Sequence, residues 1–476
     1  MEKNKTSKVK TPISISAKSF ILVMVVLLVI MIASGISTYF LPQGSYQFDT
    51  QGQLLPDTYT QADIKPYPVW KWFLAPILVF GSEDALNIIM VSLFLLTISG
   101  FFSVMENTHG IKLLVEKLVN HFSTKKTTVI CLTTLIFMLF GSLFGMFEEL
   151  VALLPIMVII SLSLGFDTMT GLGICLLASC FGFASAITNP FSVGVASEIL
   201  EIDALSGVWL RLVFFALTYG LLCVFLIHHS RRIEKTPSLS PTYENDLLKR
   251  KELVFDSSNT KDSDRITKIY LIFFTLLIAA LILIYVFAAS YSVPLLILCF
   301  LLGSLVTGTL LTGKFSLAFK WFLSGVKAML PAIVMIAFAS SVKFIMTDGG
   351  VLYTVVHVAI DLLSGMSPFA SILILYGLVL FVQLFIGSAS AKAMLIMPII
   401  APICSVAGIS KELALLAFVF GDGFTNVIFP TNAVLLIGLS MANVSYGKWF
   451  RHTILLQLLM LTITSLVLLF GVAIGY

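Results

Sequence analysis

The sequence predicts an all-α polytopic membrane protein built from two inverted repeats, each with a re-entrant hairpin and a broken helix. Three observations carry this prediction. Of the 476 residues, 58% are hydrophobic and 11% are charged, whereas soluble domains carry roughly 25% charged residues. Apolar runs long enough to cross a bilayer as helices recur between residues 20 and 475. In addition, one pattern of polar and small residues occurs twice along the chain.

Basic residues are concentrated in the N-terminal tail, residues 1–18, and in a mid-chain segment. Lysines 3, 5, 8, 10 and 18 precede the first apolar run. Because loops on the cytoplasmic side carry the excess of lysine and arginine, both segments are expected in the cytoplasm. A nucleic-acid interface is disfavoured, since these residues flank membrane segments and no nucleic-acid-binding fold accompanies them.

The first repeat half is predicted to span residues 19–229. Its first apolar run, 20–41, exceeds the roughly 7–15 apolar residues of a signal peptide and predicts an uncleaved helix. Residues 42–67 are polar and predict an extracytoplasmic loop. Trp70 and Trp72 favour an interfacial position for 68–79. Further spans are predicted at 86–104, 127–147, 150–164, 170–188 and 208–227, with a hairpin at about 141–166.

Residues 230–268 are predicted to be a cytoplasmic linker, because they combine Pro, Ser, Asn and charged residues without apolar periodicity. The second half, 269–476, has predicted spans at 269–289, 293–311, 328–344, 372–385, 393–407, 413–427 and 454–475. Short spans that contain proline favour re-entrant hairpins over full crossings, which predicts a second hairpin at about 387–409.

The two halves share a register of 243 residues. The matching positions are Pro155 with Pro398, Gly165 with Gly408, and Thr188-Asn189 with Thr431-Asn432. A proline, a glycine and a Thr-Asn pair in one register are harder to obtain by chance than matching leucines. Duplicated halves in opposed orientations place interrupted helices near the bilayer midplane, where helix ends bind substrates and ions. This organisation predicts a secondary active transporter.

Ionisable residues inside apolar runs cost a few kcal/mol, so each needs a partner, water or a function. Glu148 and Glu149 begin a proline-containing segment, and the 243-residue register places Glu149 opposite Lys392. One interpretation is a structural ion pair between them. The other is that two hairpin tips meet at a substrate site, where Ser388 and Ser390 would let a carboxylate approach a helix start.

The second group of candidates lies in the interrupted helices. It comprises Thr188, Asn189, Pro190, Asp422, Asn426, Pro430, Thr431 and Asn432. Proline frees a backbone carbonyl, and oxygens of asparagine and threonine bind substrates or hard cations, including Na⁺ near Asn189 and Asn432. The alternative is a kinked helix whose asparagines bond their neighbours. Arg211 lies close to an expected interface, where snorkelling accounts for it.

The residues inside the apolar runs do not form the motif of a known class of membrane-embedded enzyme. An aspartyl protease needs two carboxylates that share a proton, and Asp422 has no second aspartate in a plausible apolar segment. The chain has no HExxH motif and no phosphate-binding loop, and its six cysteines show no metal-ligand spacing. No cofactor is expected beyond a coupling ion, Na⁺ or H⁺.

The segments 387–398 (GSASAKAMLIMP) and 421–432 (GDGFTNVIFPTN), with the paired Thr-Asn motifs, resemble the YfcC family of the ion transporter superfamily. The similarity covers nearly the whole chain. It implies a scaffold domain and a transport domain, a homodimer with elevator-type motion, and a bacterial cytoplasmic (inner) membrane with the N-terminus in the cytoplasm. In sodium-coupled relatives a Ser-Asn-Thr-type element holds the ion. Here the first residue of that element differs, so H⁺ stays an alternative.

Related families include arginine–ornithine antiporters and anaerobic dicarboxylate carriers. A basic amino acid would place its carboxylate at Lys392 and its distal cation at Glu148, Glu149 or Asp422. The first expectation is therefore a basic amino acid antiporter. The alternative is a C4-dicarboxylate carrier coupled to Na⁺ or H⁺. A third, remote alternative is a membrane-embedded enzyme or a non-transporting subunit of a complex.

Overall fold

The computed structural model describes residues 17–47, 55, 58–63, 65, 67–110, 113, 125–253, 263–287, 291–363 and 366–476. Within these ranges the chain is almost entirely helical, and seven helices are long and apolar enough to cross a membrane. The predicted all-α, polytopic class is confirmed.

The first group of helices is α1 (Ala17–Ser37), α2 (Val69–Leu78), α3 (Ala85–Asn107), α4 (Lys126–Leu139), α5 (Leu154–Ser163), α6 (Thr168–Leu172), α7 (Ala178–Ala184), α8 (Val195–Leu200) and α9 (Val208–Lys235). The second group is α10 (Tyr243–Leu253), α11 (Ser263–Phe287), α12 (Ser292–Thr312), α13 (Phe315–Asp348), α14 (Val351–Leu363), α15 (Pro368–Gln383), α16 (Ala389–Ala407), α17 (Lys411–Gly423), α18 (Ala433–Met441) and α19 (Tyr446–Ile474).

Tighter and wider helical turns join several of these elements. π-helical turns continue α4 through Phe140–Phe144, join α6 to α7 through Gly173–Leu177, and precede α8 at Pro190–Gly194. 3₁₀ turns precede α5 at Glu149–Leu153 and follow α17 at Phe424–Val427. Such irregular turns inside apolar helices are common at functional sites.

The predicted extracytoplasmic loop contains two short strands that the sequence did not predict. β1 (Gln43–Ser45) pairs antiparallel with β2 (Thr60–Ala62). The Tyr59 ring stacks on His357 of α14 at a centroid distance of 3.7 Å. The Tyr59 hydroxyl also donates to Thr354 Oγ1 at 3.1 Å. These contacts hold the loop on the end of α14.

The helices pack in two groups. In the first, α3 packs against α12 and α13, and α1 packs against α13. The approach of α3 and α13 is close, because Ser99 Oγ donates to the Gly325 carbonyl at 2.8 Å and Ser103 Oγ donates to the Trp321 carbonyl at 2.7 Å. Small residues and hydroxyl groups commonly make such interfaces in membranes. The second group contains α4–α9 and α15–α19.

The second group is built from two matching sets of contacts. Helix α8 packs on α16, and the equivalent pair, α18 and α5, also packs together. Phe181 contacts Phe424 edge-to-face at a centroid distance of 5.1 Å. Cys180 Sγ lies 3.2 Å from the Gly423 carbonyl oxygen, across 243 residues of sequence. Phe181 and Cys180 thus each contact the residue that lies 243 positions later in the chain.

Local conformations repeat in the same register. Gly165 and Gly408 both have positive φ, at 92° and 65°, where glycine ends a helix with the least strain. Two residues later, Asp167 and Ser410 both cap the following helix with a side-chain oxygen. Residues 243 positions apart therefore share these local backbone conformations and caps as well as their sequence pattern.

The predicted linker, 230–268, overlaps helices at both ends and contains α10. Asp246 of α10 accepts hydrogen bonds from Thr168 N at 3.1 Å and from Thr242 Oγ1 at 2.7 Å. Lys249 Nζ donates to the Ala442 carbonyl at 2.7 Å. The linker helix is therefore bonded to the start of α6 in the first half and to the end of α18 in the second.

Asp167 connects the same region to α9. Its carboxylate accepts from Thr170 N at 2.8 Å and from Ser240 Oγ at 2.7 Å, and lies 3.0 Å from His229 Nε2. Burial alone would raise the pKa of Asp167, but the hydrogen bonds from His229 and Thr170 and the charge of His229 outweigh it and lower the pKa to about 2. Asp167 is therefore ionised at neutral pH and accepts from all of these donors.

Candidate functional site

The deepest charges of the second half form an ion pair. Lys392, in the first turn of α16, places Nζ 2.5 Å from Asp422 Oδ1 in the last turn of α17, and both side chains are fully buried. The sequence register set Lys392 opposite Glu149, but the structure gives Lys392 a partner from its own half. Because the two helix ends converge, residues 30 positions apart neutralise one another.

An amide cluster continues from this pair. Asn426, in the 3₁₀ turn after α17, donates from Nδ2 to the Asp422 carbonyl at 3.0 Å. Its Oδ1 accepts from Gln383 Nε2 at 2.5 Å and from Asn432 Nδ2 at 2.7 Å. Asn432 in turn caps α18 by accepting from Leu435 N at 3.1 Å. The interruption between α17 and α18 is thus held by side-chain amides.

The interruption in the first half lies against its own hairpin. The Ser142 carbonyl accepts from the backbone N–H groups of Ile187, Thr188 and Asn189 at 3.1, 3.3 and 3.1 Å. Ser142 Oγ also donates to the Ser185 carbonyl at 2.8 Å. The backbone groups freed where α7 ends are therefore satisfied by the end of the π turn that extends α4.

Asn189 carries an unpaired donor in this arrangement. Its Oδ1 accepts from Phe191 N at 2.9 Å and so caps the turn that begins at Pro190. This bond fixes the amide orientation, because only the oxygen can accept. The Nδ2 group is buried and has no partner among the residues that the structure describes. A buried unpaired donor costs about 1–3 kcal/mol, so this group is suited to an incoming acceptor.

The predicted tip of the first hairpin, the turn at residues 145–148, lies beside Asn189. Gly145 adopts a φ of 71°, and a Cβ built there would lie 2.2 Å from Asn189 Oδ1, so only glycine fits. Glu148 and Glu149 follow within one turn. Glu149 is buried and begins the 3₁₀ turn before α5, whereas Glu148 is half-buried. Glu148 forms no hydrogen bond or ion pair with any residue that the structure describes.

One contact joins the two halves of the candidate site. Ser390 Oγ, at the start of α16, donates to the Phe191 carbonyl at 3.2 Å. Ser388 caps α16 by accepting from Ala391 N at 3.4 Å, and its side chain is exposed. Thr188 Oγ1 is exposed and donates to the Leu143 carbonyl at 3.0 Å. Pro430 and Thr431 lie in the turn before Asn432.

The predicted residues therefore fall into two clusters. Lys392, Asp422, Asn426 and Asn432 form one connected cluster, and Asn189 with the hairpin tip forms the other. The predicted Na⁺ near Asn189 and Asn432 would need oxygen ligands. In both residues Oδ1 already accepts a backbone N–H. The side-chain atom of Asn189 that has no partner is the amide nitrogen Nδ2, a hydrogen-bond donor, so Asn189 is poorly suited to bind a cation.

With this geometry in place, comparison with known proteins identifies the family. The model of the DcuC family, described as C4-dicarboxylate anaerobic carriers, matches residues 20–473. The chain belongs to this family. It is accordingly a multi-pass membrane transporter, as the sequence predicted, and the enzyme alternative is set aside.

Relatives of this DcuC-family transporter include a protein of Escherichia coli (strain K12) that carries the name "Putative basic amino acid antiporter YfcC". The two are 27% identical over 419 residues, which cover 84% of this chain and 80% of the relative. The resemblance to the YfcC family is thereby confirmed.

Two solved structures of transporters are similar over nearly the full length. The YdaH transporter of Alcanivorax borkumensis gives a TM-score of 0.42 at 17% identity, covering 96% of this chain and 98% of that one. MtrF of Neisseria gonorrhoeae gives a TM-score of 0.40 at 16% identity, covering 97% and 95%.

Sequence reasoning missed three polar residues that support the site in this DcuC-family member. Ser142 and Gln383 are described above, and Arg211 is the third. The snorkelling expected for Arg211 is wrong, because the side chain is 1% exposed. Its guanidinium donates to the Ile187 carbonyl at 2.9 Å and to the Ala204 and Ser206 carbonyls at 2.5 and 3.1 Å. Interrupted helices supply such free carbonyls, which is the signal that could have indicated this role.

The crossing of the two interrupted helices in this transporter leaves no room for a side chain at Gly423. A Cβ there would lie 2.2 Å from Ala184 Cα, which is backbone and cannot rotate away. We expect Gly423→Ala to lower stability by about 1–3 kcal/mol, the usual cost of overpacking. Thermal unfolding in detergent, followed by size-exclusion chromatography, measures this effect.

Gly377→Ala is the matched control. A Cβ at Gly377 of α15 meets nothing within 4 Å, and alanine is favoured over glycine inside a helix by roughly 0.5–1 kcal/mol. The control should unfold at an unchanged or higher temperature. Equal behaviour of the two variants would mean that α7 and α17 do not cross at this distance.

Proposed function

We propose that this transporter exchanges basic amino acids, of the arginine and ornithine type. The balance of charge at the candidate site carries the proposal. Lys392 is already neutralised by Asp422 at 2.5 Å, so the charge left over at the hairpin tip is negative. Glu148 is half-buried and has no ion-pair partner in the described chain. A partly buried carboxylate favours a cationic ligand that can pair with it.

Asn189 supplies the complementary contact in this proposal. Every amino acid carries a carboxylate, and the buried Nδ2 of Asn189 is a donor without an acceptor. Gly145 places Asn189 directly beside the hairpin tip. The substrate would thus lie with its carboxylate at Asn189 and its distal cation toward Glu148.

The larger architecture is proposed with it. Contacts between equivalent residues support two repeats related by a two-fold axis, which in a membrane corresponds to inverted repeats. The two packing groups of helices support a scaffold, formed by α1–α3 and α11–α13, and a transport domain that contains the site. Elevator motion, a homodimer, an inner-membrane location with a cytoplasmic N-terminus, and coupling to H⁺ or Na⁺ stay predictions.

The alternative substrate is a C4-dicarboxylate. The family description favours it, and one structural feature supports it. Lys392 lies in the first turn of α16, where the helix dipole is positive. A dicarboxylate could displace Asp422 from Lys392, whereas a basic amino acid would leave that pair intact. The two proposals therefore differ in which carboxylate pairs with Lys392.

Exchange in proteoliposomes tests the proposal. Vesicles loaded with ornithine should take up labelled arginine, and vesicles loaded with succinate should not take up labelled succinate. Replacing Glu148 with Gln should weaken arginine uptake roughly tenfold to hundredfold, because a charge-assisted bond contributes about 1.5–3 kcal/mol. Glu198→Gln is the control, since Glu198 of α8 is exposed. Succinate exchange without arginine exchange would overturn the proposal in favour of the alternative.

A further inference from the structure

A second concave site lies away from the candidate transport site, where the C-terminal end of α9 meets the first two turns of α19. The cavity has a volume of about 440 Å³. Three permanent cations line it, Arg232, Lys448 and Arg451, together with His229 and His452. Among the residues that the structure describes, no carboxylate lines this cavity. Its charge at neutral pH is therefore strongly positive.

Two acids close to the cavity already have partners. Asp167 lies against His229 at 3.0 Å, and Glu234 pairs with Lys126 at 2.6 Å. Lys448 Nζ donates to the Pro241 carbonyl at 2.6 Å, which leaves its charge uncompensated. The side chains of Arg232 and Arg451 are exposed and form no hydrogen bond or ion pair with the described residues. Two guanidinium groups on different helices thus line one cavity without an anionic partner in the described part of the chain.

Apolar residues also line the cavity. Ile233 is buried, and Leu239 is 49% exposed. Phe450 of α19 is exposed nearby on the same turn as Arg451. This combination of a cationic cleft and an exposed apolar margin lies at the end of two membrane helices.

We propose that this cavity binds a phosphate group, held by the guanidinium groups of Arg232 and Arg451 together with Lys448. Arginine binds phosphate with two parallel hydrogen bonds, and lysine adds a point charge. The phosphate belongs either to the headgroup of an anionic lipid at the membrane surface or to a soluble phosphate compound. Basic pockets between membrane helices commonly take such headgroups.

The test compares two double variants that remove the same charge. Arg232→Gln/Arg451→Gln removes both guanidinium groups of the cavity. Arg231→Gln/Lys235→Gln removes two exposed charges from α9 that do not line it. Native mass spectrometry of the full-length protein, after exchange into phosphatidylglycerol or phosphatidylcholine, reports the retained lipid. A second arm measures thermal unfolding in sodium phosphate and in sodium chloride of equal ionic strength.

We expect the wild type to retain phosphatidylglycerol over phosphatidylcholine. In the cavity variant this preference should fall by about thirtyfold, because each of the two lost cations contributes about 1 kcal/mol. The control variant should change it less than about threefold. A preference for phosphatidylglycerol would identify the lipid headgroup as the ligand. Thermal stabilisation by phosphate with no such lipid preference would identify a soluble phosphate compound, and either result supports the site. A wild type that responds to neither probe, or a control that loses as much as the cavity variant, overturns it.

Discussion

Replacing Asp422 with asparagine is expected to lower stability by about 3–5 kcal/mol, because it leaves Lys392 as a buried charge without a partner. Lys392 is fully buried and its ion pair is with Asp422, so no solvent can replace the lost carboxylate. Substrate exchange should fall to background in the same variant. Thermal unfolding in detergent and exchange in proteoliposomes measure the two effects separately.

A surface pair and a double variant make this prediction specific. Lys126 and Glu234 form an ion pair of similar length, 2.6 Å, but are 34% and 43% exposed. Glu234→Gln should therefore cost at most about 1 kcal/mol. Replacing both members of the buried pair, Lys392→Met with Asp422→Leu, should restore most of the stability, since apolar residues often substitute well for a buried pair.

The double variant also separates structure from transport. If the pair only holds α16 against α17, the apolar double variant should transport. This is the result expected for basic amino acid exchange, which leaves the pair intact. If Lys392 or Asp422 contacts substrate or a coupling ion during the cycle, as the C4-dicarboxylate alternative requires, a stable double variant should stay inactive. A fully active double variant would remove both residues from the proposed site, and a stable Asp422→Asn variant would contradict the pair itself.

The second large effect is expected at Asn189. Asn189→Ser keeps an oxygen that can cap Phe191 N–H, and serine is among the preferred capping residues. The change removes the buried Nδ2 donor, which has no partner in the described part of the chain. Stability should therefore be unchanged or slightly higher, while the apparent affinity for substrate should fall roughly tenfold to hundredfold through loss of a bond to a carboxylate.

Two further variants serve as references for Asn189→Ser. Ser367→Ala removes an exposed cap from α15, where Ser367 Oγ accepts from Ala370 N at 3.4 Å. It should leave exchange unchanged. Asn432→Ser keeps the cap of α18 but removes the bond from Nδ2 to Asn426, so it should cost about 1 kcal/mol of stability. Wild-type affinity in Asn189→Ser would exclude the Nδ2 group as a substrate contact.

The sequence correctly located features that depend on a few neighbouring residues. Gly165 and Gly408 were matched from the 243-residue register, and both adopt positive φ. Asn189 and Asn432 were matched in the same way, and both cap a helix. Capping and glycine-terminated turns use bonds within two or three residues, so a repeated local pattern is sufficient to indicate them.

Partners across long separations could not be read from the pattern. The register suggested Glu149 for Lys392, but the convergence of α16 and α17 selects Asp422. The sequence favours snorkelling for Arg211, yet three backbone carbonyls bind its guanidinium, one in the interruption after α7 and two in the segment between α8 and α9. The mid-chain linker lacks apolar periodicity, yet its helix α10 is bonded to both halves, because Asp246 accepts from Thr168 N and Lys249 donates to the Ala442 carbonyl.

The sequence by itself determined two properties of this protein. Its composition requires a membrane environment, and the 243-residue register marks where its helices are interrupted. The tertiary structure decided which charges neutralise one another and which polar groups are left for a ligand. The physical reason is that the length of an apolar segment and the capping of a helix depend on residues close together in sequence. The partner of a buried charge depends instead on which helix ends the fold brings together.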